Sequence, residues 1–378
     1  MSAAAGAAPL VALVARNASG ATGTSRTLLA HARLLTAAGF CVRVVAQTAD
    51  ASEIGAAGAW LRRVPALPLG NWWKRRAFSA WAGALAHAGR AFVWGHGDDL
   101  QPDLLSLHNC VHLAHEHLHG KPLPAGDVVG RFFARLFARR SFRHLIANSQ
   151  LMAADVVQRF GVPTTAVTVI HPGYDPERFS RGNQQADRAA LRAQLSLAQG
   201  LPLLGLVTSG DFRKRGAATF LKMLAALSVP AHGLLVGREA SLAPWQQLAD
   251  ELGLRGRVTF LPPSSSVASI YRGLDVLVHP AGFEEFGQVV QEAAVCGTPV
   301  VTSRLVGASE LLQGIAGAGH YVLPQPQPEA LAVAVERLLR DPGERERWAQ
   351  ACCDGFAPNT ITANFERSLP VLQAAMKA

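Results

Sequence analysis

Residues 276–301, VLVHPAGFEEFGQVVQEAAVCGTPVV, constrain the fold more than any other stretch of the chain. Val276 to His279 reads as an apolar strand end, Pro280 to Gly287 as a loop, and Gln288 to Cys296 as a helix stopped by Gly297 and Pro299. Val300-Val301 then opens another strand, and this order predicts a parallel α/β sheet. Glu284 falls in the loop at the carboxyl end of a strand, and Glu292 little more than one turn into the helix, so both carboxylates can face one crevice. A carboxylate there accepts hydrogen bonds from sugar hydroxyls. The first helical amides, at Gln288 and Val289, join the positive end of the helix dipole in favouring a phosphate. The segment thus offers partners for a sugar, a ribose and a diphosphate, although two glutamates eight apart also fit an ordinary βα unit with a solvated acidic turn.

Other blocks bear on that choice. Glu284-Glu285-Phe286-Gly287 through Glu292-Ala293-Ala294 is followed by Cys296-Gly297-Thr298-Pro299-Val300-Val301. Upstream lie Ala147-Asn148-Ser149, Phe160-Gly161-Val162-Pro163, Val169-Ile170-His171-Pro172-Gly173-Tyr174-Asp175 and Arg178-Phe179. Together and in this order they resemble the signature of retaining glycosyltransferases of family 4. The resemblance is strongest from about Leu145 to Val301 and weakest between Ala51 and Asp99. It implies the GT-B fold: two Rossmann-like βαβ domains facing a central crevice, with a C-terminal helix returning to the first. On this chain, residues 1–170 become the acceptor domain, 201–357 the nucleotide-sugar donor domain and 358–378 the returning helix, while 171–200, rich in Pro, Gly, Asp, Gln and Arg, reads from that composition as the interdomain connection.

The resemblance also implies roles. Glu284 positions the donor sugar and supports positive charge at its anomeric carbon without acting as a nucleophile, and Glu292 holds the ribose hydroxyls. Amides around Phe286 and Gly287 take further sugar hydroxyls, while those of Gln288 and Val289 face the diphosphate. In TSGDFRKRG, residues 208–216, three cations precede a glycine and a helix start, an arrangement that opposes the helix dipole unless an anion sits there. Lys214 and Arg215 match the basic pair that grips the donor diphosphate, with Arg213 as a substitute if the loop shifts by one; a solvated turn is the plain alternative. Thr22-Gly23 stands where the family commonly has Gly-Gly, so Gly23 matches a donor-binding position and Thr22 departs from it. Asn17 to Arg26 reads as a small-residue loop before a helix over Thr27 to Ala38, with Gly20 as a turn glycine. His108 follows the apolar strand Leu104 to Leu107 and resembles the histidine that approaches donor sugar and acceptor; packing or capping is its structural alternative.

His96, His108, His112, His115, His117 and His119 crowd one region, and three of them share a helical face. Zinc-enzyme spacing is absent, and the resemblance implies neither metal nor cofactor. Five cysteines without CxxC spacing read as reduced thiols, and the start MSAAAGAAPLVALVA lacks a charged leader and reads as a lead into strand one. These features predict a cytoplasmic protein.

Charge is unevenly placed. Residues 1–170 hold 17 Lys+Arg against 8 Asp+Glu, and the remainder 19 against 19, so the first half carries the whole excess of +9. RFFARLFARRSFR, residues 131–143, repeats Arg131, Arg135 and Arg139 with Arg143 beyond, among phenylalanines that supply apolar bulk. These arginines are candidates for an anionic membrane surface, which would make the protein peripheral at the inner face of the cytoplasmic membrane. The same pattern fits a surface helix whose phenylalanines pack inward. No nucleic-acid reading motif accompanies the charge, so nucleic acid is not expected as a partner. The SGDF-plus-basic stretch looks most like transferases of the lipopolysaccharide core. The expected activity is transfer of a hexose, UDP-sugar favoured, to a glycan or glycolipid acceptor in the bacterial cell envelope. A nucleotide-sugar epimerase of the same fold and a non-catalytic peripheral membrane binding protein are the alternatives.

Overall fold

The computed structural model describes residues 8–20 and 22–378; the expected lead-in from residues 1–7 lies outside them. The chain divides into two compact units, residues up to Gly173 with Ile361–Ala378, and Tyr174–Thr360. The strands are β1 (Leu10–Val14), β2 (Asn17–Ala18), β3 (Cys41–Ala46), β4 (Thr48–Ala49), β5 (Trp60–Arg63), β6 (Phe92–Gly95), β7 (Leu104–Leu107), β8 (His144–Ala147) and β9 (Val167–Val169) in the first unit. The second holds β10 (Leu203–Val207), β11 (His232–Val236), β12 (Val258–Leu261), β13 (Val276–His279), β14 (Val300–Ser303) and β15 (Val322–Leu323).

In the first unit the described residues form a parallel seven-stranded sheet ordered β5-β3-β1-β6-β7-β8-β9, with β2 and β4 as a separate short ladder. Its helices are α1 (Gly23–Ala37), α2 (Ala51–Ala56), α3 (Asn71–His87), α4 (Val111–His119), α5 (Val128–Arg139) and α6 (Gln150–Phe160). The central strands read as continuous apolar runs because both faces are covered. Leu28 and Leu35 of α1 pack on one face with Val11 and Leu13, while Phe78, Ala82 and Ala86 of α3 pack with Ala12 and Val14 on the other.

The second unit carries a parallel sheet ordered β12-β11-β10-β13-β14-β15. Its helices are α7 (Gln184–Gln194), α8 (Ala217–Ala226), α9 (Ala243–Glu251), α10 (Val267–Gly273), α11 (Gln288–Val295), α12 (Pro328–Arg340) and α13 (Pro342–Phe356). The last helix, α14 (Ile361–Lys377), belongs to the first unit, where Phe365 and Leu372 join the core of α1 and β1. Arg143 fastens it further, donating from Nη1 to the Ala375 carbonyl at 2.7 Å. Two Rossmann-like parallel sheets with this architecture constitute the GT-B fold.

Three expectations need correction. The first helix begins at Gly23 rather than Thr27, because Thr22 Oγ1 accepts the Ser25 amide at 3.2 Å while Ser25 Oγ accepts the Thr22 amide at 3.0 Å. This reciprocal capping box makes Gly23 the first helical residue and gives Thr22 the capping role.

The stretch 171–200, read as connection from its polar composition, instead contains α7, which packs on α10 as part of the second unit. Its charges are the reason for the misreading: Arg188 and Arg192 both pair with the buried Asp275, and Asp187 pairs with Arg272.

On α5 the phenylalanines Phe132, Phe133 and Phe137 are buried, so only the Arg131, Arg135 and Arg139 side faces solvent. Arg140 ends that helix in a left-handed conformation at φ 46, which separates Arg143 from the other three.

Candidate active site

In the second unit the sheet delivers its chemistry where β13 ends. His279, the last residue of that strand, is fully buried, and its Nε2 meets Glu284 Oε2 at 2.5 Å. The Pro280–Gly287 loop is tied down by backbone bonds to 305–308. Glu284 N donates to Leu305 O at 2.9 Å, Gly307 N to Glu284 O at 3.1 Å, and Ala308 N to Phe286 O at 2.6 Å. Phe286 is buried, and Gly287, with φ 94, turns the chain into α11 with no side-chain cap. The helix start at Gln288 and Val289 therefore lacks the side-chain acceptor that usually occupies such a position.

The 208–216 loop presents its cations to the same carboxylates. Asp211 shapes it: its Oδ1 accepts the Lys214 amide at 3.1 Å, and its carbonyl accepts the Arg215 amide at 3.1 Å. Lys214 and Arg215 turn partly inward while Arg213 stays exposed. Arg215 Nη2 pairs with Glu284 Oε1 at 3.1 Å, and Lys214 Nζ with Glu285 Oε2 at 3.1 Å. Burial pushes the Glu284 carboxyl up, but the Arg215 guanidinium, His279 and Lys214 outweigh it and hold it down to about 2. Glu284 is thus a firmly ionised carboxylate. Arg215 Nη1 is a buried donor without a partner, and His279 Nδ1, bare when Nε2 donates to the Glu284 carboxylate, is a buried acceptor without one. Glu292, on α11, is buried too, and Tyr271 of α10 donates its hydroxyl to Glu292 Oε2 at 3.0 Å.

The structure therefore brings Lys214, Arg215 and Glu284 together and sets Glu292 on its own partner. Sequence reasoning did not find His279, Glu285 or Tyr271 as members of the site. His279 and Glu285 lie within the same segment and were within reach; Tyr271 lies on a different helix, and no local pattern points from it to Glu292.

In the first unit, His108 follows β7 and lines a cavity of about 400 Å³ with Arg16, Thr22, Arg75, His96 and Asn109. Asp98 organises its rim, accepting from the Arg16 amide at 3.0 Å and from Arg75 Nη1 at 3.2 Å. His108 Nε2 lies 3.0 Å from His96 Nδ1. Gly23 opens α1 beside the capping Thr22, whereas Gly20, at φ 73, supplies the left-handed turn before it. His112 packs edge-on against Phe160, and His115 Nδ1 binds the Lys121 carbonyl. No group of three His, Cys, Asp or Glu among the described residues is placed to hold a metal ion. Elsewhere in this unit Arg131 and Arg135 both lie over the Trp72 ring, at 4.3 and 4.8 Å from its centroid. No helix among the described residues is long and apolar enough to cross a membrane.

Residues 21–178 match the Glycosyltransferase Family 4 profile and residues 187–352 the Glycosyl transferases group 1 profile. Over 189 residues the chain is 36% identical to D-inositol 3-phosphate glycosyltransferase of Mycobacterium sp. (strain KMS), a stretch making up 47% of this chain and 42% of that relative. The Mycobacterium tuberculosis (strain F11) protein of the same name is 34% identical over 209 residues, 52% of this chain and 41% of the relative. The match thus spans less than half the length of these curated relatives. Among solved structures, WaaG, a glycosyltransferase involved in lipopolysaccharide biosynthesis, superposes with a TM-score of 0.78 at 21% identity, covering 96% of this chain and 99% of its own. HepE of Anabaena, in complex with UDP and glucose, gives 0.77 at 19%, covering 97% and 100%. Sucrose-phosphate synthase of Thermosynechococcus elongatus gives 0.78 at 19%, covering 98% and 99%. These likenesses establish the fold.

Proposed function

We propose that this GT-B chain, with its family 4 and group 1 glycosyltransferase halves, is a retaining, metal-independent hexosyltransferase that moves a sugar from a UDP-sugar to a glycan or glycolipid acceptor. The observation that carries the reading is the Arg215–Glu284–His279 cluster with Lys214 beside it. Cleavage of a sugar–diphosphate bond builds negative charge on the leaving group. Lys214, Arg215 and the amides that open α11 are suited to receive it, because fixed donors in a partly dry site need no reorganisation. Glu284, ionised and held from two sides, positions the donor sugar and lies ready to support positive charge at the anomeric carbon. Glu292 takes the ribose hydroxyls, its carboxylate oriented by Tyr271. Amides at Phe286 and Gly287 take further sugar hydroxyls. In the first unit, His108 faces the cavity that receives the acceptor and is suited to contact a sugar there, with Gly23 between the lining residues Thr22 and Thr24.

UDP is favoured as the nucleotide because HepE of the same fold is seen with UDP and glucose. WaaG supports a lipopolysaccharide or other cell-envelope acceptor. Support for a cytoplasmic protein peripheral at an anionic membrane comes from the exposed Arg131, Arg135 and Arg139 on α5. The neighbouring α3 adds Trp73 and Trp81, 58% and 51% exposed. Exposed tryptophan and arginine on two neighbouring helices suit the headgroup region.

The test is a melting-shift and turnover screen against UDP-glucose, UDP-galactose, UDP-GlcNAc, GDP-mannose and ADP-glucose, with EDTA throughout. The expected result is a selective shift for a UDP-sugar and hexose transfer to an added acceptor with anomeric configuration kept. Release of an altered nucleotide sugar without acceptor would favour the epimerase, and no shift with any donor would sink the reading.

A further inference from the structure

His96 and His108 form an unusual pair. Their rings are nearly parallel, 6° apart, with centroids separated by 5.3 Å and Nδ1 of one 3.0 Å from Nε2 of the other. The centroid separation is the N···N distance plus one ring radius at each end, so the two nitrogens point straight at each other. Trp94 stacks with His96 at 5.9 Å, and His31 stacks on Trp94 at 4.7 Å. Trp94 is itself anchored by its indole N–H to Ser106 Oγ at 2.8 Å.

Burial depresses all three histidines, holding His31 and His108 near pKa 4 and His96 well below its ordinary value. Each ring is therefore neutral near pH 7 and carries one proton, whose position the surrounding bonds decide.

For His31 the decision is plain. Asn364 donates its amide Nδ2 to the His171 carbonyl at 2.8 Å, which orients the amide so that Oδ1 faces His31 Nε2 at 2.9 Å. His31 must donate from Nε2, and its buried Nδ1, which has no partner, is the bare nitrogen. His96 leaves its Nε2 buried and without a partner in the same way. A proton on that nitrogen would be a strong donor stripped of any acceptor, whereas a bare nitrogen there loses only an acceptor bond. We propose that His96 carries its proton on Nδ1 and donates to His108 Nε2, so that His96 is a positioning residue fixing His108 with its proton on Nδ1. Nδ1 is the ring nitrogen of His108 that remains to meet a ligand in the cavity. His108 then serves as a hydrogen-bond donor to a sugar oxygen and not as the base that removes a proton from the acceptor. The catalytic part of this inference rests on the sugar-contact reading of His108; the tautomer itself does not.

Long-range 1H–15N correlation on the full chain labelled at histidine, at pH 7 and without ligand, reads each tautomer directly, with His108→Gln assigning the resonance. The expected spectrum has His96 and His108 protonated on Nδ1 and His31 on Nε2. A His108 protonated on Nε2 overturns the proposal outright. Two variants then test positioning. His96→Asp puts an acceptor-only carboxylate oxygen where the Nδ1 donor stood and should turn His108 to the Nε2–H form, with transfer slowed roughly tenfold, the size of one lost hydrogen bond. His96→Asn places an amide N–H where Nδ1 stood and should restore both the tautomer and most of the rate. Equal losses in both variants, with the His108 tautomer unchanged, would reduce His96 to a packing residue and refute the positioning role. A protein showing the expected tautomers but no transfer with any UDP-sugar would leave the tautomer assignment standing and remove only the functional reading.

Discussion

Gly216 offers the sharpest test of how the donor cluster is assembled. It joins the cationic loop to α8 with φ 76, and a Cβ built on it would lie 2.1 Å from the Pro280 carbonyl oxygen and 2.7 Å from its carbonyl carbon. Both obstacles are backbone, so neither can rotate away. Ordinary C···O contacts begin near ~3.3 Å, so Gly216→Ala forces the 208–216 and 280–287 loops apart by roughly 1 Å. The pairs from Lys214 and Arg215 to Glu285 and Glu284 are each 3.1 Å long, and that displacement carries them past hydrogen-bond reach. The left-handed conformation alone costs alanine about 1–2 kcal/mol, which for a unit of this size lowers Tm by roughly 2–8 °C. The displaced cations should weaken UDP binding by at least about tenfold, the equivalent of one charge-assisted hydrogen bond. Isothermal titration with UDP and with uridine separates the two effects, since uridine lacks the diphosphate. Gly253→Ala is the control: it has φ 71 but nothing within 4 Å of a new Cβ, so it should lose stability and keep UDP affinity. A Gly216→Ala protein that binds UDP as tightly as the parent would refute the argument that this close approach holds the phosphate-binding cations in place.

The electrostatics yield a pH signature. The pKa values of His31 and His108 are lowered from 6.5 to about 4, so the unfolded chain takes up protons first. The first unit should accordingly lose on the order of several kcal/mol as pH falls from 6.5 towards 4. Glu284, lowered from 4.5 to about 2, adds stability to the second unit that is lost only between those two values. Calorimetric scans from pH 7 to pH 4 should show the first unit's transition moving down before the second's, and parallel movement of both would contradict the burial of the histidine stack. Glu285→Gln releases Lys214 from its carboxylate and removes a negative charge beside the expected diphosphate, so UDP affinity should rise roughly two- to fivefold; a fall would place Glu285 among the groups that bind donor. Arg131→Glu with Arg135→Glu should abolish sedimentation with phosphatidylserine-containing vesicles while leaving UDP binding intact, and a parent protein that never sediments ends the membrane reading.

Strand-loop-helix-strand order around 276–301, the apolar runs of the central strands and the glycine stops were enough to place the parallel sheets, because local periodicity and turn chemistry act over a few residues. The same local logic put Glu284 at a strand end, Glu292 in the next helix and Lys214-Arg215 before a helix start. It misled wherever a polar segment was satisfied from a distance. The charges of α7 looked like those of a linker until Asp275 and Arg272 were found as their partners. The phenylalanines of α5 left their direction open until the core claimed them.

What the sequence by itself determined is therefore the class of fold and the chemical types assembled at strand ends, since both follow from neighbours along the chain. Only the tertiary structure decided which groups meet. It gave Arg215 and His279 to Glu284, Lys214 to Glu285, Tyr271 to Glu292, and His96 to His108. Ionisation and tautomer depend on burial and on the bond a distant residue supplies, and neither is encoded in the spacing of the residues that carry them.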